Sequence, residues 1–344
     1  METNHLKRKP MSDRKYKLSG VDRESVLRMY RSMVTIRAVE NAIADGIVKG
    51  EIGCPCHLYS GEEAVAVGVC ANLRKDDWTY SNHRSHGHYL AKGGSLDKLL
   101  GEVYCRKTGA SKGRGGSMHL TAPEIGFPGS SAIVAGTISL AVGSALAFRL
   151  MNTDRIAVTF FGDGASNEGV FYESLNVAAL YGLPVLFVCE NNLYSTHMPI
   201  SSILADTDIS KKARAFGVPA TRIDGNDVLT VYKTARRLID AIRKGDGPRF
   251  LECMTYRHRG HVGPNYDIEK GLRSQEELDH WLSKDPINSI EKSMLKSGMW
   301  SKEELEEIRR NVYDIVTRAQ VGARKSGWPA CASDAAFRKS CWRD

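Results

Sequence analysis

The segment between residues 155 and 257 constrains the fold more than any other part of the chain. Its runs "RIAVTFF" and "LPVLFVCE" are continuously apolar, which is typical of strands buried on both faces of a parallel sheet. About twenty residues separate the two runs, including the helical segment "GVFYESLNVAALYG", and this length suffices for a helical crossover. The pattern therefore predicts an α/β fold with a mostly parallel sheet.

Neighbouring segments extend this prediction in both directions. Two further strands, "GVPATRID" and "PRFLECMTYR", flank a helix over 227–244, and apolar spacing predicts another helix over 22–45. Ser60 and Glu63 have capping-box spacing before a small apolar helix. The Gly-, Ser- and Ala-rich stretch at 105–143 predicts a loop followed by a tightly packed helix.

Composition changes after residue 270, where the chain becomes charged and helical. Ser274/Glu277 and Ser301/Glu304 have capping-box spacing there, and the apolar positions recur at helical intervals. We therefore divide the chain into four predicted segments: a basic disordered tail at 1–18, an α/β domain at 19–270, a helical extension at 271–321 and a basic tail at 322–344.

The net charge of +8 is concentrated at the ends of the chain. Residues 1–18 carry +4 and residues 322–344 carry +3, which leaves about +1 for the body. Met11 is an alternative start that would shorten the first tail. Basic tails on a neutral body argue against a nucleic-acid-reading face. With no long apolar run and no leader pattern, the sequence predicts a soluble, cytoplasmic protein without a membrane span.

The cysteines and histidines do not form a recognisable zinc motif. Cys54 and Cys56 are the only close cysteine pair, so a four-ligand zinc set is incomplete. The segment "HRSHGH" at 83–88 suggests zinc, but Arg84 stands within it and a carboxylate partner is missing. A histidine is often a hydrogen-bonded structural residue, and this interpretation stays open beside a functional one for His86, His88, His119 and His258.

The segment "GDGASNEG" at 162–169 follows the first buried strand directly. Its glycine spacing does not fit a dinucleotide loop, and no Gly-Lys-Ser/Thr follows as in a Walker loop. Asp163 would stand at the carboxyl end of a parallel strand and beside a helix N-terminus, where α/β sheets bind ligands and where phosphate is favoured. A surface turn is the alternative. A carboxylate in this position fits Mg²⁺ that carries a phosphate.

The next strand ends in "ENN", at Glu190, Asn191 and Asn192. Neighbouring strands of a βαβ unit lie side by side, so we expect Asp163 and Asn192 to converge at one edge of the sheet. Carboxylate, carboxamide, carbonyl and phosphate oxygens together would complete an octahedral Mg²⁺ site.

The whole stretch from 162 to 195 resembles the thiamine diphosphate motif, which opens with Gly-Asp-Gly and closes with Asn-Asn. In detail the chain is similar to the alpha subunit of the decarboxylating component of 2-oxo acid and acetoin dehydrogenase complexes. The likeness covers most of residues 20–320, through "HLYSGEEAVAVG", "HRSHGHYLAKG", "KGRGGSMHL", "AIVAGTISLAVG" and "TYRHRGH". It implies the thiamine diphosphate-binding fold, a doubly wound sheet with helices on both faces.

The resemblance also implies roles for individual residues. Mg²⁺ would be held by Asp163, Asn192 and the backbone carbonyl of Tyr194. His57 and His261 would be the catalytic histidines, standing near the thiazolium and the substrate to order the reacting groups and move protons. Thiamine diphosphate would also be contacted by His83, by Arg84 paired with the diphosphate, by Ala132, by backbone atoms at Val134 beside the aminopyrimidine, by Gly164 and Ala165 at the diphosphate, and by His261.

The activity implied is cleavage of a carbon–carbon bond next to a carbonyl, with transfer of the acyl group to a lipoyl acyltransferase. In this class a glutamate that activates the aminopyrimidine comes from a second α/β domain, for which residues 270–344 leave no room. The resemblance therefore implies a beta subunit that supplies this glutamate in an α₂β₂ assembly. The alternative is a transketolase-like or other thiamine diphosphate carboligase subunit that acts without lipoate.

Two departures from the family pattern concern regulation and substrate. The loop "VGPNYDIEKG" lacks the serines that are phosphorylated in animal mitochondrial members. His83 stands where pyruvate-specific members usually have tyrosine, and "HRSHGH" is closer to the acetoin-type branch. Pyruvate, branched 2-oxo acids and acetoin all stay open as substrates.

Overall fold

A computed structural model of the chain describes residue 18 and residues 20–329. The predicted tail at 1–18 therefore lies outside the described residues except for Leu18, and the tail at 322–344 is described only as far as 329. Across the described ranges, every helix is too short or too polar to span a lipid bilayer.

The described chain alternates helices with short strands. Its helices are α1 (Arg23–Val48), α2 (Glu63–Cys70), α3 (Ser85–Ala91), α4 (Leu96–Val103), α5 (Gly136–Leu150), α6 (Gly169–Leu180), α7 (Ser210–Ala215), α8 (Val228–Arg243), α9 (Gln275–Leu282), α10 (Pro286–Lys296) and α11 (Lys302–Lys325). Its strands are β1 (Trp78–Ser81), β2 (Gly129–Ser130), β3 (Ala157–Gly162), β4 (Val185–Asn191), β5 (Tyr194–Ser195), β6 (Met198–Pro199), β7 (Ala220–Asp224) and β8 (Arg249–Met254).

Six of these strands form one parallel sheet in the order β2-β1-β3-β4-β8-β7, and β5 pairs with β6 in a separate hairpin. The two apolar runs that predicted buried strands are β3 and β4, and they lie side by side near the middle of the sheet. The α/β fold with a parallel sheet is thus confirmed.

Helices cover both faces of the sheet, as the resemblance implied. Side chains of β3 and β4 alternate between the faces because successive residues of a strand point in opposite directions. Phe161 and Phe187 pack on one face with residues of α5 and α6. Val158 and Leu186 pack on the other face with residues of α2 and α8.

The charged C-terminal segment folds as three helices, of which α10 and α11 pack with α1 and α4 in a large apolar core. Leu305, Val312 and Val316 of α11 are buried against residues of α1 in this core. Helix α11 continues to Lys325, four residues beyond the end of the predicted extension. The division of the chain into four segments stays a prediction.

The three predicted capping boxes have different outcomes. Ser301 and Glu304 form a complete box, and Ser274 accepts the backbone N–H of Glu277. The box predicted at Ser60 and Glu63 is wrong, because α2 begins after Glu62 and has no side-chain cap. The Glu63 carboxylate instead pairs with Arg37 of α1, with Oε2 2.9 Å from the guanidinium.

A buried carboxylate, that of Glu102, holds the Gly-rich loop between α4 and β2. It accepts four backbone N–H groups of the loop, from Ser111, Gly113, Gly115 and Gly116, at 2.7–3.0 Å. Gly113 and Gly116 have φ of +75° and +62°, a region that glycine enters without strain. The motif "KGRGGSMHL" is therefore wrapped around an internal carboxylate.

Candidate functional site

A cavity opens at the carboxyl edge of β3 and β4, as predicted from the two strand ends. Asp163 begins a short 3-10 turn directly after β3, and Asn192 follows β4. Gly162 and Glu190 are register partners on the two strands, which places the residues after them at the same edge. The cavity contains about 860 Å³ of space that no protein atom fills, part of it open to solvent.

The structure brings all the predicted site residues together in the wall of this one cavity. They are His57, His83, Arg84, Ala132, Val134, Asp163, Gly164, Ala165, Asn192, Tyr194 and His261. Segments that are far apart in the sequence meet here because α2, α3, α5 and the ends of β3, β4 and β8 all border this edge of the sheet.

Asp163 is buried, and its carboxylate is only half satisfied. Its Oδ1 accepts the backbone N–H of Gly164 at 2.7 Å, whereas Oδ2 has no hydrogen-bond partner within residues 20–329. Burial raises the pKa of Asp163 to about 6. A buried carboxylate oxygen without a donor is a costly arrangement that a bound cation would relieve.

Asn192 lines the same cavity as Asp163 and bonds to a second buried carboxylate, that of Glu62. Its Nδ2 donates to Glu62 Oε1 at 3.0 Å, and its Oδ1 accepts the backbone N–H of Tyr194 at 3.3 Å. Oε2 of Glu62 has no partner. Burial, and then the carboxylate of Glu190, raise the pKa of Glu62 to about 8.

Two guanidinium groups face the cavity from its other side. Arg84 donates to the carbonyl oxygens of Leu58 and His261, each at 2.8 Å. Arg257 donates to the carbonyl oxygen of Thr196 at 2.9 Å, and burial followed by the charge of Arg84 lowers its pKa to about 9. Both side chains are almost fully buried, and among the described residues neither forms a salt bridge. Two buried cations that lack a carboxylate partner favour an anionic ligand.

Three imidazoles form a cluster at the cavity. The ring centroid of His57 lies 4.6 Å from that of His83 and 4.8 Å from that of His261. Burial, and then the charge of Arg84, lower the pKa to about 3 for His57 and to about 2 for His83 and His261. All three rings are therefore neutral at physiological pH. Nδ1 of His57 has no hydrogen-bond partner.

The remaining histidines of the predicted motifs do not line this cavity. His86 bonds to Glu40 and Ser117, and His88 bonds to Ser81 and Glu190. His258 is buried 3.7 Å from Asp285, and His119 is exposed. The side chains of "HRSHGH" thus diverge, so they do not form a zinc site together.

Close backbone approach is built into the turn after β3. A Cβ on Gly164 would lie 2.4 Å from Oγ of Ser195, so the cavity wall here has no room for a larger residue. The turn therefore requires glycine at this position, because any side chain would displace Ser195.

Glu62 and Arg257 line the cavity although the sequence patterns did not predict them as site residues. Arg257 stands four residues before His261 within "TYRHRGH". This proximity to a predicted site residue could have identified Arg257 from the sequence. For Glu62, the capping-box pattern of the neighbouring residues suggested a helix start only.

Apolar side chains are exposed beside the mouth of the cavity. Ile133 and Val134 line the cavity, yet they are 73% and 48% exposed. Leu140, near the start of α5, is 55% exposed. Exposed apolar side chains beside a concave site are typical of a surface that another protein covers.

Comparison with known proteins gives consistent matches over nearly the whole chain. The family described as dehydrogenase E1 component matches residues 31–331. The alpha subunit of acetoin:2,6-dichlorophenolindophenol oxidoreductase from Bacillus subtilis is 40% identical over 306 residues, which are 89% of this chain and 91% of that protein. The pyruvate dehydrogenase E1 component subunit alpha from Rhizobium meliloti is 39% identical over 300 residues, which are 87% of this chain and 85% of that protein.

Proposed function

Because the chain belongs to the dehydrogenase E1 component family, we propose that it is the alpha subunit of a thiamine diphosphate-dependent dehydrogenase. The reaction is cleavage of a carbon–carbon bond next to a carbonyl, in a 2-oxo acid or in acetoin. The relatives named above include both kinds of enzyme, at nearly equal identity.

One observation carries this proposal. A single cavity pairs a buried carboxylate oxygen of Asp163 with two buried guanidiniums, and none of these groups has a partner of opposite charge among the residues that the structure describes. A divalent cation bound to a diphosphate complements both, since the cation satisfies the carboxylate and the phosphate oxygens satisfy the guanidiniums. The residues present thus fit magnesium thiamine diphosphate.

We assign the residues of the cavity accordingly. Asp163, Asn192 and the carbonyl of Tyr194 would hold Mg²⁺, which prefers oxygen ligands. Arg84 would pair with the diphosphate, and Gly164 and Ala165 would contact it through the close turn. The remaining predicted contacts, at His83, Ala132, Val134 and His261, line the same cavity.

When bound, thiamine diphosphate supplies the carbanion and the electron sink that cleavage beside a carbonyl requires. The chain contributes binding, orientation and proton handling. His57 and His261 are neutral imidazoles, which can donate or accept a hydrogen bond at the reacting atoms.

The partner of this chain is a beta subunit, which the alpha-subunit relatives imply. We propose that it covers the exposed apolar rim of Ile133, Val134 and Leu140 and supplies the glutamate that activates the aminopyrimidine, in an α₂β₂ assembly. We further propose that the acyl group passes to a lipoyl acyltransferase. The cytoplasmic location stays a prediction.

The test is reconstitution from purified subunits. The chain alone should bind magnesium and thiamine diphosphate weakly and show no turnover, whereas the chain with its beta subunit should cleave pyruvate, a branched 2-oxo acid or acetoin with an artificial electron acceptor. Assaying these three substrates in parallel identifies the natural class. Turnover by the chain alone would contradict the proposed division of the active site.

A further inference from the structure

We propose that Glu62 is a positioning residue that fixes the amide of Asn192, so that the carboxamide oxygen of Asn192 faces the metal. The inference rests on the proposed function, because it concerns the same magnesium thiamine diphosphate site. It assigns a role to a buried carboxylate at the start of α2 that neither the family motif nor the comparisons identify.

The hydrogen bonds of Asn192 define which end of its amide faces which neighbour. Nδ2 donates to Glu62 Oε1 at 3.0 Å, and Oδ1 accepts the N–H of Tyr194 at 3.3 Å. A flipped amide would place its oxygen against the oxygen of Glu62 and its NH₂ group against the N–H of Tyr194. The contact between the NH₂ group and the N–H of Tyr194 is repulsive whatever the charge of Glu62, and the contact between the two oxygens is repulsive when Glu62 is a carboxylate, so these partners select one orientation.

This orientation matters because only one end of a carboxamide binds a hard cation. Mg²⁺ takes oxygen ligands, and the NH₂ end of Asn192 offers no lone pair to it. With Nδ2 committed to Glu62, the amide oxygen keeps its second lone pair free. Partners that orient a metal ligand in this way commonly change metal affinity when they are removed.

The surroundings of Glu62 fit a role at the cavity better than a role in the helix. Its side chain forms no cap hydrogen bond for α2, and Oε2 has no partner, although the residue is fully buried. The next residue, Glu63, shows the contrast: its carboxylate is an internal ion-pair partner of Arg37 and does not line the cavity. Burying Glu62 without a cation is costly, and such a cost is maintained where a site needs it.

The test compares Glu62→Ala with Glu62→Gln in the chain assembled with its beta subunit. Calorimetric titration of Mg²⁺ in the presence of thiamine diphosphate gives the metal affinity without reference to turnover. We expect Glu62→Ala to weaken Mg²⁺ binding by about 10- to 100-fold. Glu62→Gln should stay close to the wild type, because its amide oxygen can still accept from Nδ2 of Asn192.

A double-variant cycle separates positioning from a general structural effect. In an Asn192→Ala background, Glu62→Ala should have no further effect on Mg²⁺ affinity, because the group through which it acts is gone. Thermal unfolding of each variant verifies that the fold is retained, and Glu62→Gln provides the test if Glu62→Ala fails to fold.

Two results would overturn the inference while leaving the proposed function in place. One is an equal loss of affinity in Glu62→Gln and Glu62→Ala, and the other is a full additive effect of Glu62→Ala on the Asn192→Ala background. A wild-type assembly that binds no magnesium and thiamine diphosphate would instead refute the proposed function itself.

Discussion

His86 and Glu40 share a hydrogen bond of 3.0 Å in the protein interior, where neither side chain is exposed to solvent. The second ring nitrogen of His86 bonds to Ser117 at 2.8 Å, so α1, α3 and the Gly-rich loop are joined through one imidazole. His83, three residues earlier, faces the cavity instead. One short histidine-rich segment thus contributes one side chain to the protein interior, His86, and another to the cavity, His83.

Replacing His86 by leucine should destabilise the fold by about 1–3 kcal/mol, because the buried carboxylate of Glu40 loses a partner. The double variant His86→Leu/Glu40→Leu should be less destabilised than the sum of the two single variants, since no buried group is then left alone. Urea unfolding measures both quantities. Simple additivity would show that the pair does not interact.

Glu102→Gln should also lower the free energy of unfolding, by about 1–3 kcal/mol, because the NH₂ group of glutamine cannot accept backbone N–H groups. The four donors of the loop then share one acceptor oxygen. The exposed Glu124→Gln is the matched control and should change stability by no more than about 0.5 kcal/mol. Equal effects in both variants would mean that the loop is held by other contacts.

Asp163→Ala should abolish magnesium-dependent binding of thiamine diphosphate while the chain stays folded. The substitution removes the unpartnered Oδ2, so thermal stability should be unchanged or higher. Calorimetry and a melting curve on the same sample report both effects. Wild-type affinity in this variant would exclude Asp163 as a metal ligand.

The three cavity histidines should make the ligand-free chain sensitive to acid. Their folded pKa values, about 3 for His57 and about 2 for His83 and His261, lie below the ordinary value near 6.5. Below pH 6.5 the unfolded chain therefore binds more protons than the folded chain, and stability falls as the pH falls toward 3.

Buried Asp163 and Glu62 have the opposite effect on stability, because their folded pKa values are raised to about 6 and about 8. At these two groups the folded chain binds more protons than the unfolded chain, so their contribution to stability increases as the pH falls. Three histidines outnumber these two acids, so the melting temperature should still drop between pH 7 and pH 5. His83→Gln should reduce the drop. If the melting temperature of that variant depends on pH as the wild type does, His83 does not contribute to the acid sensitivity.

Leu140→Asp should weaken association with the beta subunit without changing the melting temperature of the chain alone. Leu140 is 55% exposed on α5, so a charge there is tolerated in water and is costly only in an apolar interface. Leu282→Asp, at a 40% exposed position of α9, is the control. Sedimentation of the mixed subunits measures the association, and equal effects in both variants would place the interface elsewhere.

Local pattern was sufficient to predict the centre of the sheet and the convergence of Asp163 and Asn192 at its edge, but not the whole sheet. The apolar runs of β3 and β4 are long enough to identify, whereas β1 and β2 have four and two residues and no periodicity of their own. The parts that the sequence patterns did not predict depend on contacts between residues that are far apart in the sequence. Glu62 bonds to Asn192 across 130 positions, and Glu63 pairs with Arg37 across 26, so neither contact follows from local spacing.

The hydrogen bonds between Glu102 and the Gly-rich loop affect the entropy of ligand binding. A glycine-rich segment loses more conformational freedom on ordering than any other kind of segment, and a ligand that had to order it would bind more weakly by that amount. Here the loop is already ordered by an internal carboxylate, and Met118 at its end lines the cavity. The entropic cost of ordering the loop is thus part of the free energy of folding. It does not reduce the affinity for the ligand.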